Sequence, residues 1–129
     1  MNTIRSKNEG FVQTGELRIH YVEWGDVNKP HVLLVHGWDG TAHYWDVVAS
    51  SLADRFHLVA VSLRGRGKSD CDPTGKYEFP KYLEDLRDVI KQLKWERFAF
   101  VGSSLGGLLG LSYCAANPHQ VEKLVLVDI

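Results

Sequence analysis

The stretch FAFVGSSLGG, residues 98–107, sets two adjacent serines between glycines at the end of an apolar run. A side chain is thrust clear of a tight strand-to-helix turn only if the residues two before and two after it are very small. The backbone crowds itself there, and a Cβ would clash. Ser104 has Gly102 and Gly106 at those places, whereas Ser103 would have Val101 and Leu105. The stretch therefore reads as G-x-S-x-G with Ser104 at the apex. The N–H groups that follow open a helix and point at whatever approaches the serine, which suits a developing oxyanion. Glycine and serine are common, so the pattern alone also fits a glycine-rich turn with a bystander serine. Its surroundings decide.

Those surroundings alternate between strand-like and helix-like runs. LRIHYVEWG (17–25) alternates as a half-buried strand does, and the FVQTG before it can pair with it as a hairpin. HVLLVHG (31–37), HLVAVSL (57–63), FAFVG (98–102) and VEKLVLVDI (121–129) are short apolar runs of the fully buried kind. Helical segments lie between them. AHYWDVVASSLAD (42–54) places Trp45, Val48 and Leu52 on one face. PKYLEDLRDVIKQLK (80–94) places Leu83, Leu86, Ile90 and Leu93 at spacings of three and four, with Pro80 suited to a first turn. LGGLLGLSYCAANP (105–118) runs from the serine turn to a proline that cannot continue a helix. Buried strands alternating with helices predict a single α/β domain over residues 1–129, with a mostly parallel, doubly wound sheet of about six strands. The chemistry of such sheets sits at the carboxyl ends of the strands. Three turns leave strands there: HGWD (36–39), RGRG (64–67) and the serine turn.

With these motifs in that order, the sequence resembles the α/β-hydrolase family from about residue 11 to residue 129. LLVHGWDGT is similar to the family's turn that supplies a second oxyanion donor. VSLRGRGKSD is similar to the loop D-x-R-G-x-G-x-S, with Ser62 where aspartate is usual and Arg66 where histidine is usual. VGSSLGG resembles the nucleophile elbow, and LVLVDI the strand after it. The resemblance implies that Ser104 is a nucleophile and that the backbone N–H groups of Trp38 and Leu105 form an oxyanion hole. It implies acyl transfer on a small ester, thioester or lactone without a cofactor or metal. A serine at the apex argues against the epoxide-hydrolase and dehalogenase branches, which use aspartate there. The family's last strands, its lid, and its usual acid and histidine have no counterpart in the sequence, so the resemblance is to an incomplete α/β-hydrolase fold.

A serine nucleophile needs a base within hydrogen-bond reach. Only His119, Glu122 and Asp128 follow Ser104 as candidates, although the family places acid and histidine after the serine. His119 comes after a helix that starts at the serine and carries the chain roughly 18 Å away. His31 and His57 begin strands and belong to the far edge. His36 ends a strand expected to neighbour the one leading to Ser104, and His43 opens the next helix. His36 reads foremost as a turn histidine that orders the oxyanion loop, with a role as base as the sharper alternative. Asp128 ends the strand after the elbow, a position where some branches carry their acid. It reads foremost as a strand-end aspartate, because an acid serves only by orienting a histidine. The expectation is a nucleophile and oxyanion hole without a base, hence little turnover by this chain alone; the alternative is a non-catalytic α/β module that binds or assembles.

Composition narrows the function classes. Hydrophobic residues make up 44% of 129, enough for a globular core. A net charge of −1 gives no electrostatic footprint for nucleic acid or anionic membranes. No apolar run approaches the roughly 18 residues of a membrane span, and the polar MNTIRSKNEG has no signal-peptide core. Cys71 and Cys114 form no spaced pair, which suits a reducing cytoplasmic setting. Arg64, Arg66 and Lys68 read as a turn whose cations pair with nearby carboxylates. Finally, the strand order that the family resemblance implies puts the segment from Val121 through Ile129 at a border of the sheet, with four apolar residues in a row at 124–127. Such an edge invites self-association or pairing with a complementary C-terminal segment.

Overall fold

The computed structural model describes residues 8–129, so the polar start of the chain lies outside the described residues. Six strands form one sheet: β1 (Asn8–Thr14), β2 (Leu17–Trp24), β3 (His31–Val35), β4 (His57–Val61), β5 (Phe98–Ser103) and β6 (Val121–Val127). Their spatial order is β1-β2-β4-β3-β5-β6. β1 and β2 form the expected antiparallel hairpin, turning at Gly15 with φ 59. β2 joins β4 antiparallel, and β4, β3, β5 and β6 run parallel.

Burial separates strands of similar composition. β4 is buried at every position and β3 at all but its first, as parallel central strands covered on both faces must be. β6 is equally apolar, yet only Val121 is buried. It sits at the border of the sheet, as expected.

Three helices complete the layers. α2 (Phe79–Leu93) has Pro80 in its first turn and ends at Lys94 in a left-handed conformation. It buries Leu83, Leu86, Val89 and Ile90. α3 (Leu105–Ala116) turns Gly106, Gly107 and Gly110 to the sheet. A Cβ on Gly110 would meet the Phe100 ring at 2.9 Å, so the glycines set a close helix–sheet approach. α2 and α3 cover one face, in a core with Leu33, Val59, Phe98 and Phe100. The other face buries Trp24, Leu34, Leu58 and Ala60 under Trp45 and Ala49.

The segment 42–54 departs from expectation. It is not one helix but a 3-10 turn (Ala42–Trp45) followed by α1 (Asp46–Leu52). Thr41 starts the turn, its hydroxyl accepting the His43 N–H at 3.2 Å. A 3-10 turn advances three residues per turn rather than 3.6, which shifts the phase of the helix behind it. Ala49 therefore faces the sheet beside Trp45, and Val48 is exposed.

From β3 the chain moves outward to β4, then crosses back over β3 to reach β5. The winding direction reverses between β3 and β5. The loops leaving these two strands diverge there, which is where open α/β sheets form their crevice.

Candidate active site

Ser104 lies between β5 and α3 with φ 52 and ψ −116, a conformation L residues seldom adopt. The two flanking glycines explain how it is tolerated. A Cβ on Gly102 would sit 2.3 Å from the Gly106 carbonyl oxygen, and a Cβ on Gly106 would sit 2.2 Å from that of Val35. Ser104 is exposed while Ser103 is buried, so only one of the two serines is presented outward. Four backbone bonds fix the turn around Ser104. Its carbonyl accepts from Gly107 at 2.9 Å and Leu108 at 3.1 Å, and its N–H donates to Val127 O at 2.9 Å. The fourth is the Gly40 N–H to Gly37 O bond at 3.1 Å, which folds the neighbouring loop.

That loop, after β3, lies directly against the serine. A Cβ on Gly37 would be 3.0 Å from Ser104 Cβ and 3.6 Å from its Oγ. Trp38 follows, with its ring half exposed. The Arg66 guanidinium lies 5.1 Å from the centre of that ring, and its Nε donates to the Trp38 carbonyl at 2.8 Å. Arg66 also donates to the Arg64 carbonyl at 3.2 Å. This corrects part of the sequence expectation. Arg64 does pair with carboxylates, Asp85 at 2.6 Å and Asp72 at 3.0 Å, and Lys68 pairs with Glu9. Arg66 instead ties its own turn, through the Arg64 carbonyl, to the Trp38 carbonyl of the loop beside Ser104. The backbone N–H groups of Trp38 and Leu105 have no backbone hydrogen-bond partner among the described residues.

His36 is fully buried and both ring nitrogens are engaged. The Leu63 N–H donates to Nε2 at 2.9 Å, so the proton sits on Nδ1, which donates to the Gly37 carbonyl at 2.6 Å. Burial holds the ring below its ordinary pKa and keeps it neutral. With no nitrogen to offer Ser104, His36 orders the loop rather than acting as a base. His43 is held by Asp46 at 3.0 Å. His31 and His57 contact each other at 2.8 Å at the opposite, N-terminal edge of their strands. His119 is exposed beyond α3. Asp128 follows β6 with φ 59, its side chain exposed and one residue beyond the carbonyl that holds Ser104. Among the described residues no histidine hydrogen-bonds Ser104 Oγ.

Sequence reasoning missed two features. One is the Arg66 clamp on Trp38. The other is a cluster of Glu9, His20 and His43, whose ligand-capable atoms lie within 4.8 Å of one another. Neither has a local signal, because the partners come from distant elements.

Comparison with known proteins places this geometry. The family model for the alpha/beta hydrolase fold matches residues 30–129. The chain is 37% identical over 127 residues to the 3-hydroxybutyrate-oligomer hydrolase of Cupriavidus necator, covering 93% of this chain and 43% of that protein. It is 35% identical over 106 residues to the serine hydrolase-like protein of Homo sapiens, covering 81% and 52%. Among solved structures it superposes on the thioesterase domain from the curacin biosynthetic pathway with a TM-score of 0.89 at 30% identity, covering 93% of this chain and 45% of that one. For an alpha/beta hydrolase from Novosphingobium aromaticivorans the TM-score is 0.86 at 35% identity, covering 92% and 43%. The chain thus spans about half or less of the length of the curated relatives it matches. A sheet wound in this order, with a glycine-flanked serine turn after β5 and a family match over residues 30–129, makes the chain a member of the alpha/beta hydrolase fold family.

Proposed function

We propose that this chain carries the nucleophile and oxyanion hole of a serine hydrolase acting on a small ester, thioester or lactone. The observation that carries this reading is the strained, exposed Ser104 between two glycines that have no room for a Cβ. In the reaction, Ser104 Oγ attacks the acyl carbonyl while a base takes the hydroxyl proton. The resulting oxyanion accepts the N–H groups of Leu105 and Trp38. Collapse expels the alcohol or thiol, which takes the proton, and water then releases the acid by the same route. No cofactor enters this scheme. Arg66, through the Trp38 carbonyl, positions the loop that bears the second donor. The names of the similar proteins, an oligoester hydrolase and a thioesterase domain, support acyl chemistry. Two free cysteines, Cys71 and Cys114, accord with a reducing cytoplasmic setting.

In this reading the histidine comes from polypeptide that packs against β6 and α3, with Asp128 on the side where an orienting acid would stand. The chain alone is therefore a weak catalyst. Loss of a triad base costs on the order of 10⁶-fold in kcat in the best-studied case. The test is prolonged labelling with a fluorophosphonate, mapped by peptide mass spectrometry, alongside p-nitrophenyl acetate hydrolysis. The label is expected on Ser104, absent in Ser104→Ala and retained in Ser103→Ala, with hydrolysis close to background. A label on Ser103 would overturn the assignment, and rapid turnover that Ser104→Ala abolishes would overturn the external base.

A further inference from the structure

Glu9 on β1, His20 on β2 and His43 in the 3-10 turn after β3 converge from three elements. Glu9 Oε1 is 2.6 Å from His20 Nε2 and 3.8 Å from His43 Nε2. Zinc ligands stand about 2.0–2.2 Å from the ion, which puts neighbouring ligand atoms of a tetrahedron about 3.3–3.5 Å apart. The two separations from Glu9 bracket that value and the two histidines lie within 4.8 Å of each other, so side-chain shifts of about an ångström bring the three atoms onto one ion.

The groups behind the ligands are arranged to suit. His43 Nδ1 faces both Asp46 carboxylate oxygens, at 3.0 and 3.1 Å. That contact holds the proton on Nδ1 and leaves the Nε2 lone pair directed at Glu9, the carboxylate–histidine arrangement that orients metal-bound imidazoles. His20 is buried. Its Nδ1 lies 3.5 Å from Ser62 Oγ, which is itself fixed by the Ala42 N–H at 2.9 Å. In the metal-free chain His20 Nε2 lies 2.6 Å from Glu9 Oε1; on metal binding its proton moves to Nδ1, on the side of Ser62 Oγ, and the Nε2 lone pair and the Glu9 oxygen both turn to the ion. Lys68 Nζ sits 3.1 Å from Glu9 Oε1 at the end of a mostly exposed side chain. It supplies positive charge at the same oxygen and is free to swing away.

We propose that Glu9, His20 and His43 bind one divalent transition-metal ion of the zinc class. Two imidazoles and one carboxylate suit such an ion and do not suit calcium or magnesium, which take oxygen ligands. Glu9 and His43 are partly exposed, so solvent fills the remaining position. The ion binds in place of Lys68 and fastens the edge strand β1 to the turn that leaves β3. None of the three residues touches Ser104 among the contacts described, and the proposal does not depend on the chemistry of that serine.

The test is titration of the metal-free chain with Zn²⁺ in competition with a chromophoric chelator, with thermal melts alongside. One equivalent is expected to bind and raise Tm. His43→Ala and Glu9→Gln, both at partly exposed positions, should each weaken binding about 10- to 100-fold. Lys68→Met should tighten it, because the competing cation is gone. His31→Ala, which touches the histidine pair at the other edge, should leave it unchanged. Equal Zn²⁺ affinity in the unmodified chain and in His43→Ala would overturn the proposal, as would loss of binding in His31→Ala alone.

Discussion

Holding serine at φ 52 costs roughly 1–3 kcal/mol, because its Cβ crowds the backbone in that region. Glycine carries no such cost. Ser104→Gly is therefore expected to stabilise the fold by about 1 kcal/mol even though it removes the side chain at the centre of the site. Gly102→Ala is expected to destabilise it by about 3 kcal/mol or more, since the new methyl would meet the Gly106 carbonyl at 2.3 Å. Urea midpoints of the two variants check both signs. A destabilised Ser104→Gly would mean that the turn is not strained. This part of the site was legible in the sequence because the constraint is local: glycine, serine and glycine within five residues. The Arg66 clamp was not legible. Its acceptor is the Trp38 carbonyl, 28 residues away in the chain. The Glu9–His20–His43 cluster was hidden for the same reason, with one ligand on each of three elements.

Among the elements, β6 and α3 are unlike the rest. Val125, Leu126 and Val127 are 48, 38 and 36% exposed, and Leu108 and Leu111 of α3 are also exposed. β6 offers an unpaired row of N–H and C=O groups along the same border. We expect this border to be a docking edge, for a second copy or for a complementary segment. β1 lies at the opposite edge, so shielding by the described N-terminal residues is excluded by the strand order. Light scattering at tens of micromolar is expected to show association that Leu126→Lys reduces; a clean monomer for the unmodified chain would sink the idea. The strand and helix pattern was otherwise readable from period and punctuation. The exception, α1, shows why periodicity can mislead. The apolar residues Trp45, Val48 and Leu52 fit one helical stripe. A 3-10 turn ahead of the helix changed the phase, and the small Ala49 took the buried place.

At the scale of the whole molecule, only the border place of β6 was legible, through family resemblance, and the full order of strands was not. Nothing in the apolar runs themselves says that β4 lies between β2 and β3, because buried strands look alike in sequence. The molecule's acid sensitivity, in turn, follows from its ionisable groups. Burial lowers the folded-state pKa of His36, and burial and then His57 lower that of His31. A lowered pKa favours the neutral ring in the fold, so their contribution to stability is present above about pH 6.5, the unfolded value, and is lost as pH falls through the folded value. The carboxyls of Glu9, Asp70 and Asp72 are also lowered, chiefly by hydrogen bonds from His20, Arg18 and Thr74 respectively. Their contribution is present above about pH 4 and is lost below it. Stability should therefore fall in two stages on acidification, and His31→Gln should reduce the first. Urea midpoints across that range are the check, and a flat profile between neutrality and about pH 5 would contradict the histidine part.

The bond from the Ser104 N–H to the Val127 carbonyl spans from the serine turn to the end of the border strand. A single amide proton is thereby shut away from solvent by the edge of the sheet. Fraying of β6 from its end inward breaks this bond early, before the pairs nearer Val121 are reached. The rate at which the Ser104 amide takes up deuterium is then a clock for opening at the border, readable without substrate, probe or mutation. Whatever docks on β6 should slow that clock.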